Sequence, residues 1–167
     1  MMVAVATMAT LGIVAPQASA TENPSITGVA ISPNASAATR ALAAADPKAV
    51  QDTANLCGAG YKLELVERLP DARRFGTLFQ YQNSASNECA LFDNNLGTSK
   101  YMKLSVCEVD DGHRACSTDA GYFTQYAGPV RVTDGFCARI TAIMKDSAGA
   151  SDSSALINRV EPAVPCD

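Results

Sequence analysis

Tyr101-Met102-Lys103-Leu104-Ser105-Val106-Cys107-Glu108-Val109-Asp110-Asp111-Gly112-His113-Arg114-Ala115-Cys116 is the stretch that decides the fold. Met102, Leu104 and Val106 alternate with Tyr101, Lys103 and Ser105, the period of a strand with one buried face. Asp111-Gly112 is a favoured centre for a two-residue type I′ turn. With those residues at the turn, Asp110 faces His113, Val109 faces Arg114, Glu108 faces Ala115 and Cys107 faces Cys116. The pair beside the turn is hydrogen-bonded and pairs then alternate. Cys107 and Cys116 therefore fall on a non-hydrogen-bonded site, where Cα atoms lie about 4.5 Å apart and a disulfide fits. Turn chemistry and cysteine spacing independently predict one stapled hairpin.

The same period recurs on both sides of it. Tyr61, Leu63 and Leu65 alternate with Lys62 and Glu64. Phe75, Thr77, Phe79 and Tyr81 alternate with Gly76, Leu78 and Gln80. Phe136, Ala138, Ile140, Ala142 and Met144 alternate with Cys137, Arg139 and Thr141. Turn-forming clusters at 83–87, 94–97 and 134–135 punctuate these runs. A last strand is expected over 155–160, after a Gly/Ser/Ala/Asp loop at 147–154. The pattern predicts an all-β chain: a small disulfide-stapled β-sandwich or barrel with an extended N-terminal arm and one short helix.

Six cysteines, Cys57, Cys89, Cys107, Cys116, Cys137 and Cys166, are an even set with no C-x-x-C pair and one histidine in the chain. That spacing excludes a zinc site and points to bridges in an oxidising compartment. Beyond Cys107–Cys116, three pairings of the other four are open. The expected one is Cys89–Cys137 across strands with Cys57–Cys166 tying the two ends. The net charge of −4 argues against nucleic acid and anionic membrane as partners.

Residues 1–20 carry no charge and end in Ala18-Ser19-Ala20. An apolar run too short to span a bilayer followed by an A-x-A site reads as a secretory signal peptide, with the mature chain starting at Thr21 and secreted. No Lys or Arg precedes the run. Residues 21–55 form the arm. It has no aromatic residue and no cysteine, and its Ala/Ser/Thr-rich composition predicts no core of its own. Asp46-Pro47 is a helix start, an N-cap with proline at the first position, and Gly58 is a stop. Residues 37–45 are a marginal helix candidate. Residues 56–167 form the β-domain.

Cys57-Gly58 with Tyr61 close behind, Asn87 and Cys89, Tyr126-Ala127-Gly128-Pro129-Val130, then Cys137 and Cys166, form a recognisable pattern. Over roughly 47–166 it resembles the spore-associated protein A family of Streptomyces and other actinobacteria. The resemblance implies a small secreted β-domain without established enzymatic activity, at hyphal or spore surfaces. Some relatives look like the small bridging subunit of Streptomyces umbrella toxin particles, which joins a repeat-built toxin scaffold to a lectin subunit bearing a degenerate trypsin-like domain. This chain departs from the pattern in its extra Cys107/Cys116 pair, in lacking a Trp after Cys137, and in its long arm.

No constellation for catalysis stands out. His113 sits beside Asp110 and Asp111 without a nucleophile motif, and reads as an exposed turn residue. Asp71, Arg73 and Arg74 read as a solvated loop. Tyr101, Tyr122, Phe123 and Tyr126 read as core and interface packing, since a sugar platform would be expected to hold Trp. Ile26, Val29 and Ile31 are more apolar than a spacer needs, and Arg40 is the single cation of the Ala-rich stretch. Those four are the expected partner-binding residues of an arm that adds a strand to, or threads a groove on, another protein. The expected function is a non-enzymatic secreted adaptor or structural protein without cofactor or metal, joining other secreted proteins in a multi-subunit complex. The alternatives are a spore or hypha surface protein and a protease inhibitor presenting Leu69-Pro70-Asp71-Ala72-Arg73.

Overall fold

The computed structural model describes residues 25–26, 28–108, 115–133, 135 and 137–163. Two short strands, β1 (Ser25–Ile26) and β2 (Val29–Ala30), lead into two helices, α1 (Ala37–Ala45) and α2 (Pro47–Cys57). Eight strands follow: β3 (Lys62–Leu69), β4 (Gly76–Gln82), β5 (Glu88–Asn94), β6 (Lys100–Cys107), β7 (Cys116–Phe123), β8 (Tyr126–Val132), β9 (Arg139–Lys145) and β10 (Ile157–Pro162). They form two four-stranded sheets, β3-β4-β5-β8 and β10-β9-β6-β7, in which every neighbouring pair is antiparallel. The chain is all-β, a sandwich, as its alternation predicts.

The central hairpin forms in the expected register. Cys107 pairs with Cys116, Glu108 N donates to Ala115 O at 2.9 Å, and the two cysteines are bonded across a Cα–Cα distance of 4.0 Å. The turn itself, with Asp110, Asp111 and His113, lies outside the described residues.

Alternation sorts the side chains between two cores. Met102, Leu104 and Val106 point into the sandwich with Ile140, Ala142 and Met144, and meet Leu78, Ala90, Phe92 and Val130 of the other sheet. The opposite face of the first sheet carries Leu63, Phe79, Tyr81, Cys89 and Leu91, and it too is buried. One solvated face was expected for each sheet. β4 and β5 have none, because α1 and α2 lie across them and complete a third layer. The bulge between Leu63 and Leu65 switches β3 from one core to the other, which is why Leu63 and Leu65 do not share a face.

The helices form from local signals. Ser36 Oγ accepts from Thr39 N at 3.0 Å and starts α1. Asp46 ends α1 through its N–H to Leu42 O and starts α2 by accepting from Ala49 N at 3.2 Å, with Pro47 at the first position. Gly58, at φ +103°, stops α2. Two helices therefore stand where one was expected. The alanine-rich α1 is marginal by itself but gains burial of Thr39 and Ala43 against β3.

Candidate functional site

Three of the four residues expected to reach a partner, Val29, Ile31 and Arg40, make their contacts within the chain. Ile31 is 1% exposed and forms a parallel bridge with Leu63, and Ser32 N donates to Leu63 O at 2.9 Å. Val29 is buried in the same cluster. Arg40 donates through its guanidinium to the carbonyls of Ser32 (2.8 Å), Pro33 (3.1 Å) and Ala35 (3.2 Å), tying the turn to α1. The backbone of Ile26 pairs with Val29; its side chain lies outside the described residues. The segment from 28 to 55 thus adds its strand and groove contacts to its own domain. The reason is the open outer face of β3-β4-β5, the nearest apolar surface available. A separate arm up to residue 55 does not describe it.

The second bridge corrects the expected pairing. Cys57 is joined to Cys89 at a Cα–Cα distance of 5.9 Å, in place of Cys57–Cys166 and Cys89–Cys137. Cys89 points to the outer face of β5 beside Tyr81, and α2 delivers Cys57 onto that face. Cys137 is also disulfide-bonded; Cys166 lies outside the described residues. Around the Cys57–Cys89 bridge, Tyr81 Oη donates to Val50 O at 2.9 Å and shares a hydrogen with Thr53 Oγ1 at 2.6 Å, while Arg131 bonds Leu56 O.

The 69–75 loop is a closed turn. Arg74 N donates to Asp71 O at 3.0 Å, and Arg74 sits at φ +57°. The Arg73 guanidinium is pinned to the Asp71 carboxylate at 2.9 Å and lies 5.2 Å over the Phe75 ring. A protease cleft takes an extended strand, and this loop does not offer one.

Gly128-Pro129 explains the most specific motif of the chain locally. Gly128 has φ +105°, and a Cβ there would come within 2.9 Å of Ala90 O. Its N–H donates to Asp119 Oδ2 at 2.8 Å, linking β8 to β7. The motif lies within β8, where the pairing with β5 shifts register between Ala90 and Phe92.

Three of the four aromatics, Tyr122, Phe123 and Tyr126, line one shallow pocket at the β7–β8 turn, without Tyr101. Tyr101 and Tyr122 meet edge to face at 5.7 Å, whereas Phe123 packs against the inner core and Tyr126 against the helix-side core. Tyr122 is 58% exposed, and its hydroxyl accepts from Ala148 N at 3.0 Å. It stands on the outer face of the second sheet, which no helix covers. By register that face carries Tyr122, Ala120 and Thr118 from β7, Tyr101, Lys103 and the buried Ser105 from β6, the buried Ile143 and Lys145 from β9, and Val160 from β10, which is 55% exposed. Loop 146–154 folds over one corner, where Lys145 Nζ donates to Ala150 O (2.8 Å) and Asp152 Oδ1 (3.0 Å).

Sequence reading missed a second feature, a cavity between the α1–α2 joint and the outer face of β3-β4-β5. Its volume is about 290 Å³. Asp46, Asp93, Arg68 and Arg74 line it, with Arg68 and Asp93 in register on either side of Thr77, over a floor that includes Val66 and Phe79. Burial, and the nearby Asp46 and Asp52 carboxylates, push the Asp93 carboxyl up to about 6. No local motif marks this site, because its residues come from five separate elements, α1, α2, β3, β4 and β5, and from the loop before β4. Among the described residues no three His, Cys, Asp or Glu side chains form a metal-holding group, and no helix is long and apolar enough to cross a membrane.

Comparison with known proteins returns no match to any protein-family model, any curated protein or any solved structure.

Proposed function

We propose that this protein is a secreted, non-catalytic adaptor that joins other extracellular proteins, and that it binds through the outer face of its second sheet. The carrying observation is the asymmetry of the sandwich. One sheet has helices packed over its outer face, whereas the other has none there, and Tyr122 and Val160, exposed large apolar side chains, stand near opposite edges of that face. By strand spacing these edges are about 15 Å apart. An aromatic anchor on a rigid sheet is the composition of an interface centre. The disulfides and the signal-like N-terminal sequence support an extracellular site of action. The resemblance to spore-associated proteins and toxin-particle bridging subunits supports the same role. The closed 69–75 turn gives the protease-inhibitor alternative no support.

Co-purification from native culture fluid tests this reading. Stoichiometric partners should be recovered with the wild-type chain and lost with Tyr122→Ser/Val160→Ser, at unchanged secretion and folding. Full retention of every partner by that double variant overturns the assigned face, and hydrolytic turnover by the purified chain overturns the non-catalytic reading.

A further inference from the structure

The cavity at the helix joint is lined by charges of both signs, Asp46, Asp93, Arg68 and Arg74. Arg68 and Asp93 flank Thr77 in register, two strands apart. No ion pair among the described residues joins either carboxylate to either guanidinium. One oxygen of Asp46 is occupied in capping α2. The Asp93 carboxyl has no hydrogen bond or ion pair among the described residues, although it is half-buried. Val66 and Phe79, both buried, make the apolar part of the floor beside Thr77. A half-buried carboxylate without a cation, in one cavity with two guanidiniums that no anion pairs among the described residues, is an arrangement that a ligand of both charges completes.

We propose that this cavity binds a small zwitterion with an apolar body, the chemistry of a free aliphatic or aromatic α-amino acid. The ammonium lies against Asp93, with Asp46 behind it. The carboxylate takes the planar donors of Arg68 and Arg74, whose fork geometry suits it. The side chain rests on Val66 and Phe79. The volume of about 290 Å³ leaves room for a ligand of several non-hydrogen atoms. The raised Asp93 carboxyl supports the assignment, because an ammonium beside it relieves the repulsion from Asp46 and Asp52. The site lies on the helix-covered side of the sandwich, so it stands or falls separately from the partner face proposed above.

Amide NMR titration of the full, disulfide-intact chain tests this. The probes are L-leucine and L-phenylalanine at millimolar concentration, with isopentylamine and 4-methylvalerate as single-charge controls. At least one amino acid should shift amides in β3, β5 and the α1–α2 joint, and each control should bind on the order of tenfold more weakly or worse. Asp93→Asn and Arg68→Gln should each weaken binding by a similar factor, and Tyr122→Ser should leave it unchanged. Dispersed spectra certify that the variants fold; if either does not, the contrast between leucine and its single-charge analogues decides. Absence of shifts at the cavity with both amino acids, equal binding of a single-charge control, or affinity unaffected in both folded variants overturns the proposal.

Discussion

Glu88 is a carboxylic acid with no exposed surface at all. Burial, with the Glu64 carboxylate nearby, pushes it up to about 9 from 4.5, against the opposing effect of the Gln80 and Gln82 amides. The folded chain therefore holds one more proton than the unfolded chain between those values. Stability must fall as pH rises across that interval, by up to about 1.4 kcal/mol per pH unit, and level off above it. Glu88→Gln keeps the shape and removes the proton. Urea denaturation between about pH 5 and pH 8 should show a slope shallower by about that amount, and identical slopes for both chains would refute the assignment. Asn94 makes a second prediction at this scale. Its Nδ2 donates to Thr98 O (2.8 Å) and Phe123 O (2.9 Å), and its Oδ1 accepts from Leu96 N (3.0 Å). Asn94→Ala orphans these groups at the crossing between sheets and should cost about 2 kcal/mol or more. Neither role is visible in sequence, where Glu88 and Asn94 look like ordinary turn-flanking polar residues. Their burial is set by strands remote in the chain.

The elements divide by the range of the interactions that form them. The hairpin of β6 and β7, the caps at Asp46 and Gly58, and the alternation of β4, β6 and β9 were legible, because each depends on neighbours within about ten residues. The 28–55 segment was not. Its weak propensity reads as an arm, and only the outer face of β3-β4-β5 turns it into a layer. The Cys57–Cys89 bridge was illegible for the same reason: it depends on where α2 docks. The cap signals placed α2 in the sequence but said nothing of its position over the sheet. A layer and an arm respond differently to damage. Ile31→Ala should cost about 2 to 5 kcal/mol, as for a core isoleucine, rather than nothing. Asp46→Ala should cost about 1 kcal/mol through the lost cap. Chemical denaturation measures both. Deleting residues 21–45 should expose the apolar face of β3 and β4, so the product should bind a hydrophobic dye and unfold without a sharp transition. A cooperatively folded truncated domain would restore the arm.

At the scale of the molecule, the sandwich class followed from period-two patterning, but the count of layers did not. Patterning reports whether a face is apolar and is silent on what covers it. Leu63, Phe79, Tyr81 and Leu91 form that face together with Cys89. They are spread over three strands, and no single run shows a continuous apolar surface. The cavity shares this origin, being a gap between two layers. Covalent closure is also a whole-molecule property. Two bridges account for Cys57, Cys89, Cys107 and Cys116, and Cys137 is bonded as well. Cys166 is the one cysteine left in the chain, so non-reducing peptide mapping should recover it joined to Cys137. Recovery of either with a foreign thiol would show a bridge to another molecule.

Because the helix layer and the uncovered face lie on opposite sides of the sandwich, the first and last described strands differ as attachment points. β1 and β2 belong to the helix side, whereas β10 is an edge strand of the sheet that carries the uncovered face. A fluorophore or biotin beside β2 stands away from that face, and one on β10 borders it. On a sensor chip, immobilisation through the exposed position Gly28 should leave the protein able to capture its partners, and immobilisation through the exposed Asn158 should blind it.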